Sequence, residues 1–118
     1  MTTRLGEFEQ LLLFALVRLG DDAYGVTIRR EIEARTGRSV SSGAIYTAME
    51  RLEARGYVSS TIGNPTPRRG GKRKKHYRIE RTGAEALSRS YEALHEMAKG
   101  FRPKLTNLTS QRPATRQS

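Results

Sequence analysis

The sequence predicts a mainly α-helical domain carrying one small β-hairpin, an α+β arrangement. Three observations lead there. Apolar residues recur at three- and four-residue spacing in four separate stretches, the period of helices with one buried face. Two short stretches rich in β-branched and aromatic residues, 57–62 and 75–80, flank a segment of Gly, Asn and Pro, as the strands of a hairpin flank their loop. The chain has 118 residues, the size of one domain.

The first helix spans Leu5 to Leu19. Leu5, Phe8, Leu12, Leu16 and Leu19 form its stripe, and Leu11, Leu13, Phe14 and Val17 widen it. A helix apolar on most of its surface belongs at the centre of a fold. Gly20, Asp21 and Asp22 end it in a turn. A second helix runs from about Ala23 to Arg35, with Tyr24, Ile28 and Ile32 on its apolar line. Glu31 and Arg35 are spaced as an i,i+4 ion pair, and Gly37 is its stop.

The third helix follows Val40. Ser41 and Ser42 are N-cap residues, Ile45, Ala48, Met49 and Leu52 form the buried line, and Gly56 is the glycine past the end. Its other face presents Ser42, Gly43, Tyr46, Thr47, Glu50 and Arg51. An exposed Tyr among small polar residues is unusual for a merely solvated face. The two strands come next, with Tyr77 and Ile79 alternating against His76, Arg78 and Glu80.

The last helix opens on Thr82 and Glu85, spaced as a capping box. Ala84, Leu87, Tyr91, Leu94, Ala98 and Phe101 then follow at spacings of 3, 4, 3, 4 and 3, heptad spacing that suits an interface between helices. Residues from about Pro103 to Ser118 are mostly polar and are expected to be disordered. No internal repeat is visible.

Charge is concentrated. The chain carries 22 Lys and Arg against 12 Asp and Glu, a net +10. The segment from Arg68 to Arg81 contributes +7, the stretch from Arg102 onward +4, and everything else −1. A nearly neutral body with its excess charge in one Gly-rich segment and one tail is suited to meet a polyanion.

Other classes fall away. There is no cysteine, which removes disulfides, thiolate catalysis and cysteine-built zinc sites. Two histidines, His76 and His95, are too few for a histidine-built metal site. No phosphate loop and no nucleophile–base pair is present, so neither a catalytic residue nor a cofactor is expected. The longest apolar run, Leu11 to Val17, has seven residues, against about 20 for a membrane helix. Glu7 and Glu9 precede it where a signal peptide needs positive charge. The expectation is a soluble cytoplasmic protein.

Three helices, a basic hairpin and a fourth helix make the order of a winged helix-turn-helix. In that arrangement the third helix enters a DNA major groove and the hairpin reaches the neighbouring backbone. The expected DNA contacts are Ser41, Ser42, Gly43, Tyr46, Thr47 and Arg51 on the helix, with Arg68, Arg69, Lys72, Arg73, Lys74 and Lys75 on the wing. Tyr46 has a second reading, as a cover for the turn between helices. Tyr24 reads as a packing residue at a helix start or as a phosphate contact. His76 reads as a hydrogen-bonding or phosphate-contacting residue. Glu50 and Glu53, three apart beside Arg51 and Arg55, read as surface ion-pair partners.

These residues also carry a family resemblance. Leu11 to Leu16, then Ala23-Tyr24-Gly25, then Ser42 to Val58, and finally Lys75-His76-Tyr77-Arg78-Ile79 with Thr82-Gly83 resemble PadR-type transcriptional regulators over about residues 5 to 100. The Gly-x-x-Tyr…Leu-Glu-x-x-Gly and Tyr-Arg-x-x-x-Thr-x-Gly stretches are specific as a pair. The single C-terminal helix is similar to the short-form members. The resemblance implies a homodimeric repressor on double-stranded DNA with a palindromic operator. Its two recognition helices would lie about 34 Å apart. It also implies a small aromatic effector near the dimer interface. With no Trp in the chain, Tyr91, Phe8, Phe101 or Met97 would serve that pocket. The implied organisation is a DNA-binding domain over 1–81, a dimerisation helix over 82–102 and a disordered basic tail over 103–118. The expected dimer interface is Phe8, Leu12, Leu87, Tyr91, Leu94, Ala98 and Phe101. The rival reading is a nonspecific DNA- or RNA-binding protein dominated by its wing and tail.

Overall fold

The apolar stripe of the first helix organises the molecule. Within α1 (Glu7–Leu19), Leu12, Leu13, Ala15 and Leu16 are buried. Packed on it are α2 (Gly25–Thr36), α3 (Ser42–Ala54), the strand β2 (Lys75–Ile79) and α4 (Arg81–Ala98). One turn of 3-10 helix at Gly20–Asp22, the strand β1 (Val58–Ile62) and α5 (Phe101–Ser110) complete the elements. The structure, a computed structural model, describes residues 4–63 and 74–110. Its mainly helical architecture with one antiparallel hairpin is the expected winged helix-turn-helix.

Local chemistry sets the element ends. Ser41 caps α3, its Oγ accepting from the Ala44 amide at 3.0 Å. Gly37 and Gly56 stand at φ of 73° and 79° just past α2 and α3, a region that costs glycine little. Thr27 Oγ1 accepts from the Tyr24 amide at 3.0 Å and donates to the Asp22 carbonyl, which fixes the entry to α2. The expected Glu31–Arg35 pair forms at 2.6 Å.

β1 and β2 pair antiparallel, with Val58 opposite Ile79 and Ile62 opposite Lys75. Tyr77 points its ring into the core while Arg78 stays exposed, as strand alternation requires. The hairpin is also tied to the helices. The Tyr77 amide donates to the Ala23 carbonyl at 2.9 Å, and Tyr24 bridges to His76. One core results, in which Ile28, Ile45, Met49, Leu52 and Val58 meet the α1 stripe.

Three expectations need correction. The capping box does not form, because α4 begins at Arg81 with Glu80 at its N-cap. The Thr82 hydroxyl instead donates to the Gly56 carbonyl at 2.6 Å, holding the end of α3 to the start of α4. The last helix does not run to residue 102; it ends at Ala98. Residues 103–110 are not disordered but belong to α5. Pro103 does not stop that helix, because it sits in the first turn, where its missing N–H has no acceptor to lose. Phe101, Leu105 and Leu108 recur along it at helical spacing.

Gly83 owes its identity to a close approach. A Cβ there would collide with the backbone carbonyl oxygen of Tyr57. Only glycine lets α4 lie this near the residue that leads into β1.

Candidate nucleic-acid interface

The third helix divides cleanly into two faces. Ile45, Ala48, Met49 and Leu52 are at most 1% exposed. Ser41, Ser42, Gly43, Tyr46, Thr47, Glu50 and Arg51 are all exposed. The expected DNA contacts on this helix therefore share one open side, with Ser41, Ser42 and Gly43 at the end where the helix dipole is positive and Arg51 in the last turn. Among the described residues, no heavy atom outside its own stretch of helix lies within 4 Å of where a Gly43 Cβ would be, so the packing of those residues does not require glycine there.

Lys74 and Lys75 are exposed at the mouth of the hairpin. The Lys74 Nζ lies 4.4 Å from the centroid of the Tyr24 ring and 3.4 Å from its hydroxyl, a cation–π contact. The Tyr24 ring in turn meets the His76 ring at 5.3 Å. Tyr24 is thus a packing residue that carries the base of the wing. Lys75 lies 5.8 Å from the Tyr77 ring centroid. Arg68, Arg69, Lys72 and Arg73 lie outside the described residues.

Tyr46 follows its second reading, as a cover between helices, while remaining open to solvent. The residue is 47% exposed, yet its hydroxyl reaches the first residue of α2. A Cβ built on Gly25 would be 2.5 Å from that oxygen. The N-terminus of α2 is therefore a junction: Gly25 receives the phenol from α3, and Tyr24 beside it receives Lys74 and His76 from the wing. The spacing patterns of single elements carry no signal for such a junction. Its only trace in the sequence is the adjacent pair Tyr24-Gly25.

The charges near α3 pair differently from expectation. The Arg55 Nη1 reaches Glu9 Oε2 at 3.3 Å and its guanidinium lies 4.7 Å from the Tyr57 ring centroid. Glu53 Oε2 accepts from the Ser60 hydroxyl at 2.8 Å. These contacts tie α3 to α1 and β1. Burial, with Tyr46, Glu53 and Glu50 nearby adding to it, pushes the Tyr77 phenol up from its ordinary 10.0 to about 12.

The residues expected at a dimer face divide between the core and the surface. Leu12 is wholly buried and Leu87 is 6% exposed, both in the subunit's own core. They are corrected to core residues, because the first half of α4 lies on α1. Phe8 is half-buried against the same core. Tyr91, Leu94, Ala98 and Phe101 are exposed. Phe14, Val17, Met97, Leu105 and Leu108 are exposed apolar residues absent from the expected set. Phe14 and Tyr91 meet edge to face at 5.9 Å, and the Tyr91 ring stacks on His95 at 5.7 Å.

Among the described residues no group of three or more His, Asp or Glu side chains could hold a metal ion. No described helix is long and apolar enough to cross a membrane.

A family model described as the transcriptional regulator PadR-like family matches residues 13–89. No curated protein matches the chain. Among solved structures, a transcriptional regulator from Clostridium thermocellum is 28% identical, with a TM-score of 0.64 over 86% of this chain and 88% of that one. A PadR family transcriptional regulator from Eggerthella lenta is 25% identical, with a TM-score of 0.62 over 87% of this chain and 84% of that one. A PadR family regulator from hypervirulent Clostridium difficile shares the fold, with a TM-score of 0.69 at 22% identity over 85% of this chain and 99% of that one.

Proposed function

Because the chain belongs to the PadR-like family of transcriptional regulators, we propose that it is a homodimeric repressor that reads a palindromic operator with α3 and grips the flanking backbone with its wing. The observation that carries this reading is the junction at the start of α2. There the exposed face of α3, through Tyr46, and the base of the wing, through Lys74, meet on adjacent residues. A base-reading helix and a cationic strand pair held on one rigid point would engage a groove and its neighbouring phosphates together.

Dimerisation is assigned to the second half of α4 and to α5, through Tyr91, Leu94, Ala98 and Phe101. Repression would be relieved by a small aromatic effector on the ring surface of Phe14, Tyr91 and His95. The site of action is cytoplasmic, and no cofactor is invoked. The DNA-binding unit is residues 1–81. The dimerisation unit is enlarged from 82–102 to take in α5.

The test is selection of bound sequences from a random duplex pool at about 150 mM salt, where charges beyond about 8 Å are screened. The expected result is an inverted repeat whose half-sites lie about one helical turn apart. A pool that stays unenriched, with equal binding to every duplex, would establish the rival reading of a nonspecific polyanion binder.

A further inference from the structure

We infer that Gly25 is a positioning residue for DNA reading: its missing side chain seats the Tyr46 phenol over the first turn of α2 and so sets the surface that α3 offers beside the wing. This deepens the DNA-reading proposal above and rests on it.

Glycine is a poor helix former, yet Gly25 opens α2. Its backbone gives no reason for that choice, since its φ is not among the positive ones. Space does. A Cβ at residue 25 would lie 2.5 Å from the Tyr46 hydroxyl oxygen, 3.2 Å from Cζ and 3.6 Å from Cε1. The first distance is a collision, the second needs the ring to give by a few tenths of an ångström, and the third is ordinary contact. Most of the conflict therefore sits on one atom, the phenol oxygen.

That atom lies at the tip of the side chain of a residue that is 47% exposed. An alanine at 25 would push the ring towards solvent, and the buried face of α3 (Ile45, Ala48, Met49, Leu52) would stay in place. What changes is the surface offered to DNA. The phenol would stand out beside Ser42, Gly43 and Thr47, and the contact between α3 and the start of α2 would open. Tyr24, the next residue, carries Lys74 and His76. The same shift therefore alters the surface where the open face of α3 adjoins the base of the wing. A residue whose role was only structural would show its effect in stability. A positioning residue shows it in discrimination between duplexes.

The experiment measures four proteins: wild type, Gly25→Ala, Tyr46→Phe and the double variant. Each is titrated with the selected operator and with a random duplex of equal length, and its thermal midpoint is recorded. Gly25→Ala should bind the operator about tenfold more weakly, the usual size of a contact coupling. Its random-duplex affinity and thermal midpoint should stay near wild type. In the Tyr46→Phe background, where the colliding oxygen is gone, the same substitution should cost less than about threefold. Additive losses, or a Gly25→Ala protein that discriminates like wild type, overturn the inference. If Gly25→Ala alone fails to fold, the double variant decides: a folded, discriminating double variant supports the steric account, and an unfolded one overturns it. A wild type that prefers no duplex overturns the DNA-reading premise. A discriminating wild type with additive losses overturns the role of Gly25 alone.

Discussion

Tyr77 shows how a buried phenol couples the fold to pH. Its ring is in the core, and burial is the first cause of its rise to about 12. A group with a raised pKa holds its proton more tightly when folded. The stability it contributes is therefore complete below pH 10, its unfolded value, and is lost as the pH rises towards 12. Denaturant unfolding should show stability falling across that window. Tyr77→Phe should remove the fall, along with a late phenolate step at 295 nm. An unchanged slope in the variant would mean that another group is responsible. Gly43 makes the opposite kind of case. Among the described residues, nothing outside its own stretch of helix lies within 4 Å of its absent Cβ, so Gly43→Ala should raise stability by up to about 1 kcal/mol, through helix propensity. If the open face of α3 approaches DNA closely, the same change should weaken operator binding. Thermal melts and duplex titrations on one preparation would show the two effects with opposite signs. A variant that binds the operator as tightly as wild type would remove Gly43 from the interface.

At the scale of elements, the helices and the hairpin were legible where a period or a stop residue marks them. The buried line of α3, its Ser41 cap and the Gly56 stop all follow from spacing and residue type. The beginning of α4 was not legible, because Thr82 and Glu85 carry the capping-box spacing while the Thr82 hydroxyl bonds to Gly56, 26 residues earlier. No local rule sees that acceptor. The α5 helix was missed because Pro103 reads as a breaker unless the register of its first turn is known. The heptad on α4 was read correctly as a period but not as a partition. Its first half covers α1, and its second half projects beyond the core. That partition makes a prediction. Leu94 is 61% exposed and Leu87 only 6%. Leu94→Asp should yield a folded protein of half the wild-type mass by light scattering. Leu87→Asp should unfold the subunit, because it buries an unpaired charge. A wild type that is already monomeric would sink the dimer assignment, whatever the variants do.

The whole molecule separates two tasks by charge. The net +10 resides in the 68–81 segment and the chain from residue 102 onward, and the remaining body is close to neutral. The exposed face of α3 is mostly small and uncharged: Ser42, Gly43, Tyr46 and Thr47. Attraction to any duplex should therefore come from the wing and the C-terminal region, and preference among duplexes from α3. Phosphate contacts release counterions, so the logarithm of affinity should fall with the logarithm of salt by about 0.9 for each phosphate neutralised. Lys74→Ala and Arg73→Ala should each flatten that line by about one such step. They should do so equally on operator and random duplex, leaving the ratio of the two affinities intact. Tyr46→Ala should act the other way. It should leave the salt slope unchanged and reduce the ratio, because it releases α3 from α2 without removing a charge. Anisotropy titrations of the four proteins from about 50 to 200 mM salt would separate these effects, since that range alone changes affinity about 10³-fold or more for a protein making six or more phosphate contacts. If the lysine and arginine variants lowered the ratio, the wing would be reading sequence. If Tyr46→Ala left the ratio intact, α3 would not be the reading helix.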